Sequence, residues 1–329
     1  MKLRGIDFGP VWTASGTLGF YGEGYPYQHL LYKTLGWCDF RGVTLVAKTV
    51  TLEPRKGNMR LNKDGSLPLW PLVPACIVVR PRHMAALNAV GLSNCGAAAH
   101  IGDGRWQDME KPYALSFMSV AETREERMNE LRKFVELVLT HLLPSLRVPI
   151  CLQLNYSCPN TGHAVAELAQ EVAEALSIAA SLNIPLMPKF NILLPVEVVQ
   201  RISEHPACDA ICVSNTIPWG ALPEQIDWKK IFGTDKSPLA HLGGGGLSGK
   251  PVFWPLWRWL VHLMQEGGIT KKIHAGGGIL EPRGVYELSQ VHVDSVFLGS
   301  VSFLRPDQVR PIIDYAHLVY GYQPVERGK

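Results

Sequence analysis

The 329 residues contain no Cys-x-x-Cys pair, no long unbroken apolar run and little surplus of either charge. Each absence excludes something. A membrane-crossing helix needs about 18 to 20 consecutive apolar residues, so no span is expected. The opening Met1-Lys-Leu-Arg-Gly-Ile-Asp-Phe-Gly-Pro10 likewise has no apolar stretch of signal-peptide length. A formal net charge of +3, with both signs mixed along the chain, leaves no electrostatic footprint for a nucleic-acid backbone. Seven cysteines are an odd number, and Cys151 and Cys212 lie inside apolar runs. That pattern excludes a disulfide framework and a zinc or other metal site, and favours reduced thiols in the cytoplasm. No G-x-G-x-x-G follows an apolar strand, so a dinucleotide fingerprint carried by the chain is also missing. Gly244 to Lys250 spells G-x-x-x-x-G-K, but Pro251 stands where a magnesium-binding Ser or Thr belongs, and the segment before it is a poor strand.

Present instead are short apolar segments that end in polar or glycine residues and are mostly separated by helical patterns. Eight are found, at 11–15, 43–48, 113–117, 150–155, 186–190, 210–215, 272–275 and 295–298. Between the third and fourth, residues 122–143 place Leu131, Phe134, Val135, Leu137, Val138 and Leu142 at helical spacing, and the Ala-rich 165–182 does the same between the fourth and fifth. Eight strands with crossover helices predict an α/β protein of the (β/α)8 TIM-barrel class, whose reactive residues gather at the C-terminal strand ends. A doubly wound open sheet is the alternative. The whole chain, 1–329, reads as one domain. Residues 59–87, proline-rich and containing Trp70, are too long and irregular for a bare connection and predict a lid or an edge hairpin over the barrel mouth.

The strand-end residues then become the candidates. Asn155-Tyr-Ser-Cys-Pro-Asn160 closes an apolar run and places a thiol among polar groups, where Cys158 can serve as a general base or be an inert buried hydrophobe. Lys48 and Lys189 each end a strand, where a cation is costly unless it meets an electron-rich or anionic partner. Asn88, Asn155 and Asn215 offer paired donors and acceptors suited to a ring of alternating N–H and C=O groups. His274-Ala-Gly-Gly-Gly-Ile279 and Phe297-Leu-Gly-Ser300 follow the last two strands, where glycines let backbone N–H groups approach a phosphate.

These residues resemble the dihydroorotate dehydrogenases, flavin mononucleotide (FMN) enzymes of pyrimidine synthesis. The resemblance runs in order through Ala14-Ser-Gly16, Lys48-Thr-Val-Thr-Leu-Glu-Pro-Arg-Lys-Gly-Asn58, Asn88-Ala-Val-Gly-Leu92, Asn155-Tyr-Ser-Cys-Pro-Asn160, Lys189, Ser214-Asn-Thr216, Gly245-Gly-Leu-Ser-Gly249, Gly276-Gly-Gly-Ile279 and Gly299-Ser300. It implies that Cys158 takes the proton from substrate C5 while C6 gives a hydride to flavin N5, with Lys48 between flavin and substrate. It implies that Asn88, Gly91, Leu92, Asn155, Asn215 and Thr216 surround the pyrimidine. Ser15, Gly16, Thr17, Lys48, Thr49, Ser116, Asn155, Lys189, Ser214, Gly249, Gly277, Gly278, Gly299 and Ser300 would hold the flavin.

A Cys base, with no N-terminal helical extension, resembles the soluble form rather than the membrane-bound Ser form. Thr51-Leu-Glu-Pro-Arg55 resembles the NAD-linked class, whose electrons leave through a separate FAD and iron–sulfur subunit; a homodimer or heterotetramer is the implied assembly, and the fumarate-using homodimer is the alternative class. The chain departs from the family pattern at Met59-Arg60 and in a longer stretch between Asn58 and Asn88, at Ala275 and Ser300, and in an extended loop after Ser214-Asn-Thr216 that carries Trp219. Two other functions stand beside oxidation of dihydroorotate: a flavin oxidoreductase acting on another dihydropyrimidine, and a barrel without turnover.

Overall fold

The computed structural model describes residues 1–62, 65–68, 74–156 and 165–323. Parallel strands form a curled sheet in the order Val11–Thr13, Ser295–Leu298, Lys272–Ala275, Ala210–Val213, Leu186–Phe190, Ile150–Asn155 and Tyr113–Phe117. The gap between first and last is closed by residues 44–50, which bridge in parallel to Trp12 on one side and to Ala114 and Phe117 on the other. Backbone bonds from Thr13 N to Thr44 O (2.9 Å) and from Ala47 N to Ala114 O (2.9 Å) complete the closure. This eighth strand is irregular for a local reason: the Val46 N–H is taken by the Thr13 side-chain oxygen at 2.9 Å instead of by a neighbouring carbonyl. The result is the (β/α)8 barrel expected from the spacing of apolar runs.

Its strands read as near-continuous apolar runs because they are covered on both faces. Inside, Trp12, Val46, Ala114, Cys151, Met187, Ala210, Cys212 and Phe297 fill the barrel, and Leu3 and Phe8 belong to the same cluster. A two-stranded hairpin, Lys2–Leu3 with Ile6–Asp7, precedes the first barrel strand. Outside, the helices Arg124–Leu137, Val165–Ala179, Val196–Ser203, Lys250–Gln265, Pro282–Ser289 and Val309–Val319 alternate with the later strands. The first begins at Thr123, whose hydroxyl accepts from Glu126 N while Glu126 reaches back to Thr123 N, a reciprocal cap that satisfies two otherwise orphaned donors. The helical pattern read over 122–143 is therefore real, and its last turn is a π-helical Val138–Leu142.

A second sheet was not in the strand count. Ile217–Pro218, Gly246–Gly249, Ala85–Asn88 and Ile77–Arg80 pair antiparallel in that order. The excursion at 59–87 contributes its later part to this sheet as a hairpin, and the second strand carries Asn88 to the barrel mouth. Gly246–Gly249 followed directly by the helix Lys250–Gln265 explains the glycine run. It is a paired strand turning into a helix, with Gly249 at φ +97°.

Candidate functional site

At the C-terminal ends of the barrel strands lies a cavity of about 620 Å³. Its wall brings together Ser15, Gly16, Lys48, Thr49, Asn88, Gly91, Leu92, Asn155, Lys189, Ser214, Asn215, Thr216, Gly277, Gly278, Gly299 and Ser300. Three other candidates sit behind that wall. Thr17 donates its hydroxyl to Leu298 O (3.2 Å), and Ser116 is buried between Thr49 (2.8 Å) and Gln153 (3.3 Å). Gly249 abuts the backbone at Met84 and Ala85, so any side chain there would collide with the antiparallel sheet. Cys158, with the rest of its loop from 157 to 164, lies outside the described residues.

Thr49 is the hub of the floor. Its hydroxyl meets Ser15 Oγ at 2.9 Å and Ser116 Oγ at 2.8 Å, and accepts from Asn155 Nδ2 at 3.3 Å. Asn155 Oδ1 in turn accepts from Asn215 Nδ2 at 3.1 Å, and Asn215 Oδ1 is held by Thr216 N at 2.8 Å. Five strand ends are thus tied into one polar network. Satisfied networks of this kind fix side-chain positions because in a low-dielectric interior every broken bond is costly.

Two buried cations face this network. The Lys48 ammonium donates to Ser93 O and lies 4.9 Å from the centre of the Phe20 ring. Burial pulls its pKa down to about 8, with nearby Cys76 and Cys95 opposing the shift. Lys189 is also buried, its ammonium 5.3 Å from the Phe297 ring centre. Burial again lowers its pKa, and among the described residues it has no hydrogen-bond acceptor. A desolvated cation supported by an aromatic face and the neighbouring Cys212 thiol lacks most of the compensation such a charge requires. It is therefore set to receive an anionic or electron-rich ligand atom.

The late strands supply the close-approach surface. Gly277, at φ +143°, has room for no side chain, since a Cβ there would sit 2.8 Å from Ser214 Oγ. A Cβ on Gly299 would lie 3.0 Å from that of Ala14. Ser214 is itself pinned to Gly276 O through both its backbone N (3.0 Å) and its hydroxyl (3.1 Å). Bare backbone thus reaches the cavity where the sequence pattern placed a phosphate.

Several lining residues were not foreseen. Arg55 donates from Nε to Gly91 O (3.0 Å), and Asn58 donates from Nδ2 to Ala89 O (2.8 Å), which laces residues 55–58 to the turn after Asn88. Tyr25 enters from the start of the helix Pro26–Leu35. Arg127 and Glu171, paired at 2.6 Å and buried, form a further side of the cavity. Their positions in the helices Arg124–Leu137 and Val165–Ala179 read in the sequence only as charged gaps between apolar residues, so spacing carried no signal for the pair.

No family model matches the chain. Among curated proteins, the catalytic subunit of dihydroorotate dehydrogenase B (NAD(+)) from Endomicrobium trichonymphae is 28% identical over 313 residues, covering 93% of this chain and 86% of that protein. Dihydroorotate dehydrogenase A (fumarate) from Lactiplantibacillus plantarum is 26% identical, covering 95% and 90%. The chain is similar to the dihydroorotate dehydrogenases over nearly its whole length. The ligand-free dihydroorotate dehydrogenase of Eimeria tenella superimposes with a TM-score of 0.66 at 17% identity, over 97% of this chain and 86% of that one, a match of fold. Relatives of the NAD-linked and the fumarate-linked types match to the same degree, so similarity alone does not divide them.

Proposed function

We propose that this chain is an FMN-dependent dihydroorotate dehydrogenase that oxidises dihydroorotate to orotate in pyrimidine synthesis. The observation that carries the reading is the pair of buried ammonium groups, Lys48 and Lys189, facing one Asn155–Asn215 network at the barrel mouth. The donor set suits a flavin: a buried cation without an acceptor for the electron-rich ring, hydroxyls at Ser15 and Thr49, and side-chain-free backbone at Gly277 and Gly299 for a phosphate. Bound there, FMN would supply the two-electron acceptor for the hydride that leaves substrate C6.

The chain's own residues do the rest. Asn88, Asn155 and Asn215 present amide edges that orient a pyrimidine; the Asn215–Asn155 bond (3.1 Å) and the bond from Asn88 Nδ2 to Gly246 O (3.2 Å) hold them in place before substrate arrives. Lys48, charged below about pH 8, can donate to a substrate oxygen from its position beside the ring site. Cys158 is assigned the proton at C5, since a thiol titrates closer to neutral pH than an alcohol and the C–H is acidified by the adjacent carbonyl. The antiparallel sheet carrying Asn88, together with residues 59–87, is assigned the role of cover over the mouth, within a single domain.

Electrons are assigned to leave through a separate FAD and iron–sulfur subunit, in a cytoplasmic homodimer or heterotetramer. No helix among the described residues is long and apolar enough to cross a membrane, and no His, Cys, Asp and Glu cluster among them could hold a metal ion.

The test is direct. The purified protein is expected to be yellow, and dihydroorotate added without oxygen should bleach the flavin band near ~450 nm. A band that persists with dihydroorotate but bleaches with another dihydropyrimidine would move the reading to that substrate. Colourless protein that takes up no FMN would overturn it.

A further inference from the structure

Ser93 is one of the few polar residues, among those described, with no exposed surface. It makes three contacts, each to a different part of the site. Its carbonyl accepts from the Lys48 ammonium. Its hydroxyl accepts from Met59 N at 3.0 Å and donates to Val90 O at 3.2 Å. The turn from Asn88 to Asn94 is thereby fastened to residues 55–59, and both are fastened to the strand end that carries Lys48.

The surrounding bonds show how tight the junction is. Arg55 and Asn94 exchange backbone bonds at 2.9 and 2.8 Å, and Asn58 N donates to Val90 O at 2.8 Å. Gly57 crosses this turn so closely that a Cβ would lie 2.7 Å from both Ser93 N and Val90 O. Within this lattice the Ser93 carbonyl is the sole acceptor for Lys48 Nζ among the described residues. The direction of that carbonyl follows the seating of the turn, and of the bonds that seat it the two at the Ser93 hydroxyl lie on the same residue as the carbonyl. Removing the hydroxyl would leave Met59 N–H buried without its acceptor and free the turn to shift.

We propose that Ser93 is the positioning residue for Lys48: its hydroxyl locks the turn so that its carbonyl aims the ammonium into the cavity. The importance of that aim for turnover rests on the function proposed above, but the positional claim does not. Lys48 is held by the turn and by the Phe20 ring, whereas Lys189 sits on the opposite wall against Phe297 and touches neither. Lys189 is therefore an internal control.

The experiment is competitive amine labelling of the whole protein with trace acetic anhydride, read by mass spectrometry at Lys48 and Lys189 in wild type and Ser93→Ala. Loss of the lock should raise Lys48 labelling at least threefold with Lys189 unchanged, and Ser93→Thr, which keeps the hydroxyl, should bring Lys48 back toward wild type. Equal Lys48 labelling in wild type and Ser93→Ala would overturn the proposal. So would a parallel rise at both lysines, which would mean general loosening. Should Ser93→Ala fail to fold, Ser93→Cys, which retains a group of similar shape, is read by the same ratio. In the dihydroorotate assay, Ser93→Ala is expected to lower kcat more than it raises KM. A wild type that does not bleach would remove the proposed function while the labelling ratio still decides the role of Ser93.

Discussion

The side-chain amide of Asn215 donates to the side-chain oxygen of Asn155 across 3.1 Å, joining the ends of two barrel strands that are not neighbours in the sheet. Between them in the sheet runs Leu186–Phe190, whose Lys189 points into the same cavity. The two amides and the cation form one surface, and the expected behaviour of variants follows from it.

Asn155→Ala removes the acceptor for Asn215 and a donor to Thr49 together. Losing one hydrogen bond between these partly buried amides costs about 0.5–1.5 kcal/mol, or roughly 2- to 13-fold in an equilibrium constant. KM for the pyrimidine should rise within that range. Asn215→Ala should do the same, and the double variant should cost less than the sum because the partners share one bond. Steady-state kinetics on the three variants checks this, and additive effects would uncouple the pair.

Lys189→Met keeps the volume and removes the charge. Flavin occupancy after purification, read as the visible-to-ultraviolet absorbance ratio, should fall. The apoprotein should be no less stable than wild-type apoprotein, since a desolvated charge without an acceptor has been removed. A variant with full occupancy and an unchanged rate of flavin reduction would make Lys189 a bystander.

Arg127 and Glu171 are each only 7% exposed and bond through two pairs of atoms, at 2.7 and 2.6 Å. Arg127→Met should destabilise the fold by about 3–5 kcal/mol, because it strands a buried carboxylate. Replacing both residues with apolar ones of similar size should recover much of the loss. Urea denaturation at neutral pH distinguishes the two outcomes.

Lys48 gives the pH dependence a sign. Burial lowers its pKa from 10.5 to about 8. Flavin reduction that needs the ammonium should decline as pH rises through about 8, and Lys48→Met should be slow on both sides of that limb. For stability the direction is opposite. Between about 8 and 10.5 the unfolded chain binds more protons at this position than the folded chain, so this group makes folding more favourable as pH rises through that window. A pH series of denaturation midpoints for wild type against Lys48→Met isolates the contribution.

Cys158→Ser should leave flavin bound and slow its reduction by dihydroorotate about 10²- to 10⁴-fold near neutral pH, the usual contribution of a positioned base. Stopped-flow absorbance measures the half-reaction, and an unchanged rate would take Cys158 out of the mechanism. In the same assay, NAD reduction by the isolated chain should be absent until a partner subunit is supplied.

The apolar runs by themselves determined the barrel. Segments such as Ile150–Asn155 and Leu186–Phe190 are buried on both faces, so their composition marks them without any partner being known. The closing strand at 43–48 was readable for the same reason, although Thr13 breaks its ladder. Because barrel chemistry collects at strand ends, the same runs also delivered Lys48, Asn155, Lys189 and Asn215 to one mouth. The tertiary structure alone decided the rest. The antiparallel sheet pairs Gly246–Gly249 with Ala85–Asn88, segments about 160 residues apart, through backbone bonds that carry no local side-chain pattern. Ser93 behaves likewise: three contacts to Lys48, Met59 and Val90 depend on where two loops cross, and a serine in a turn has no sequence signature for that. Period and polarity are local properties and survive in one dimension, whereas convergence of distant loops exists only once the chain has folded.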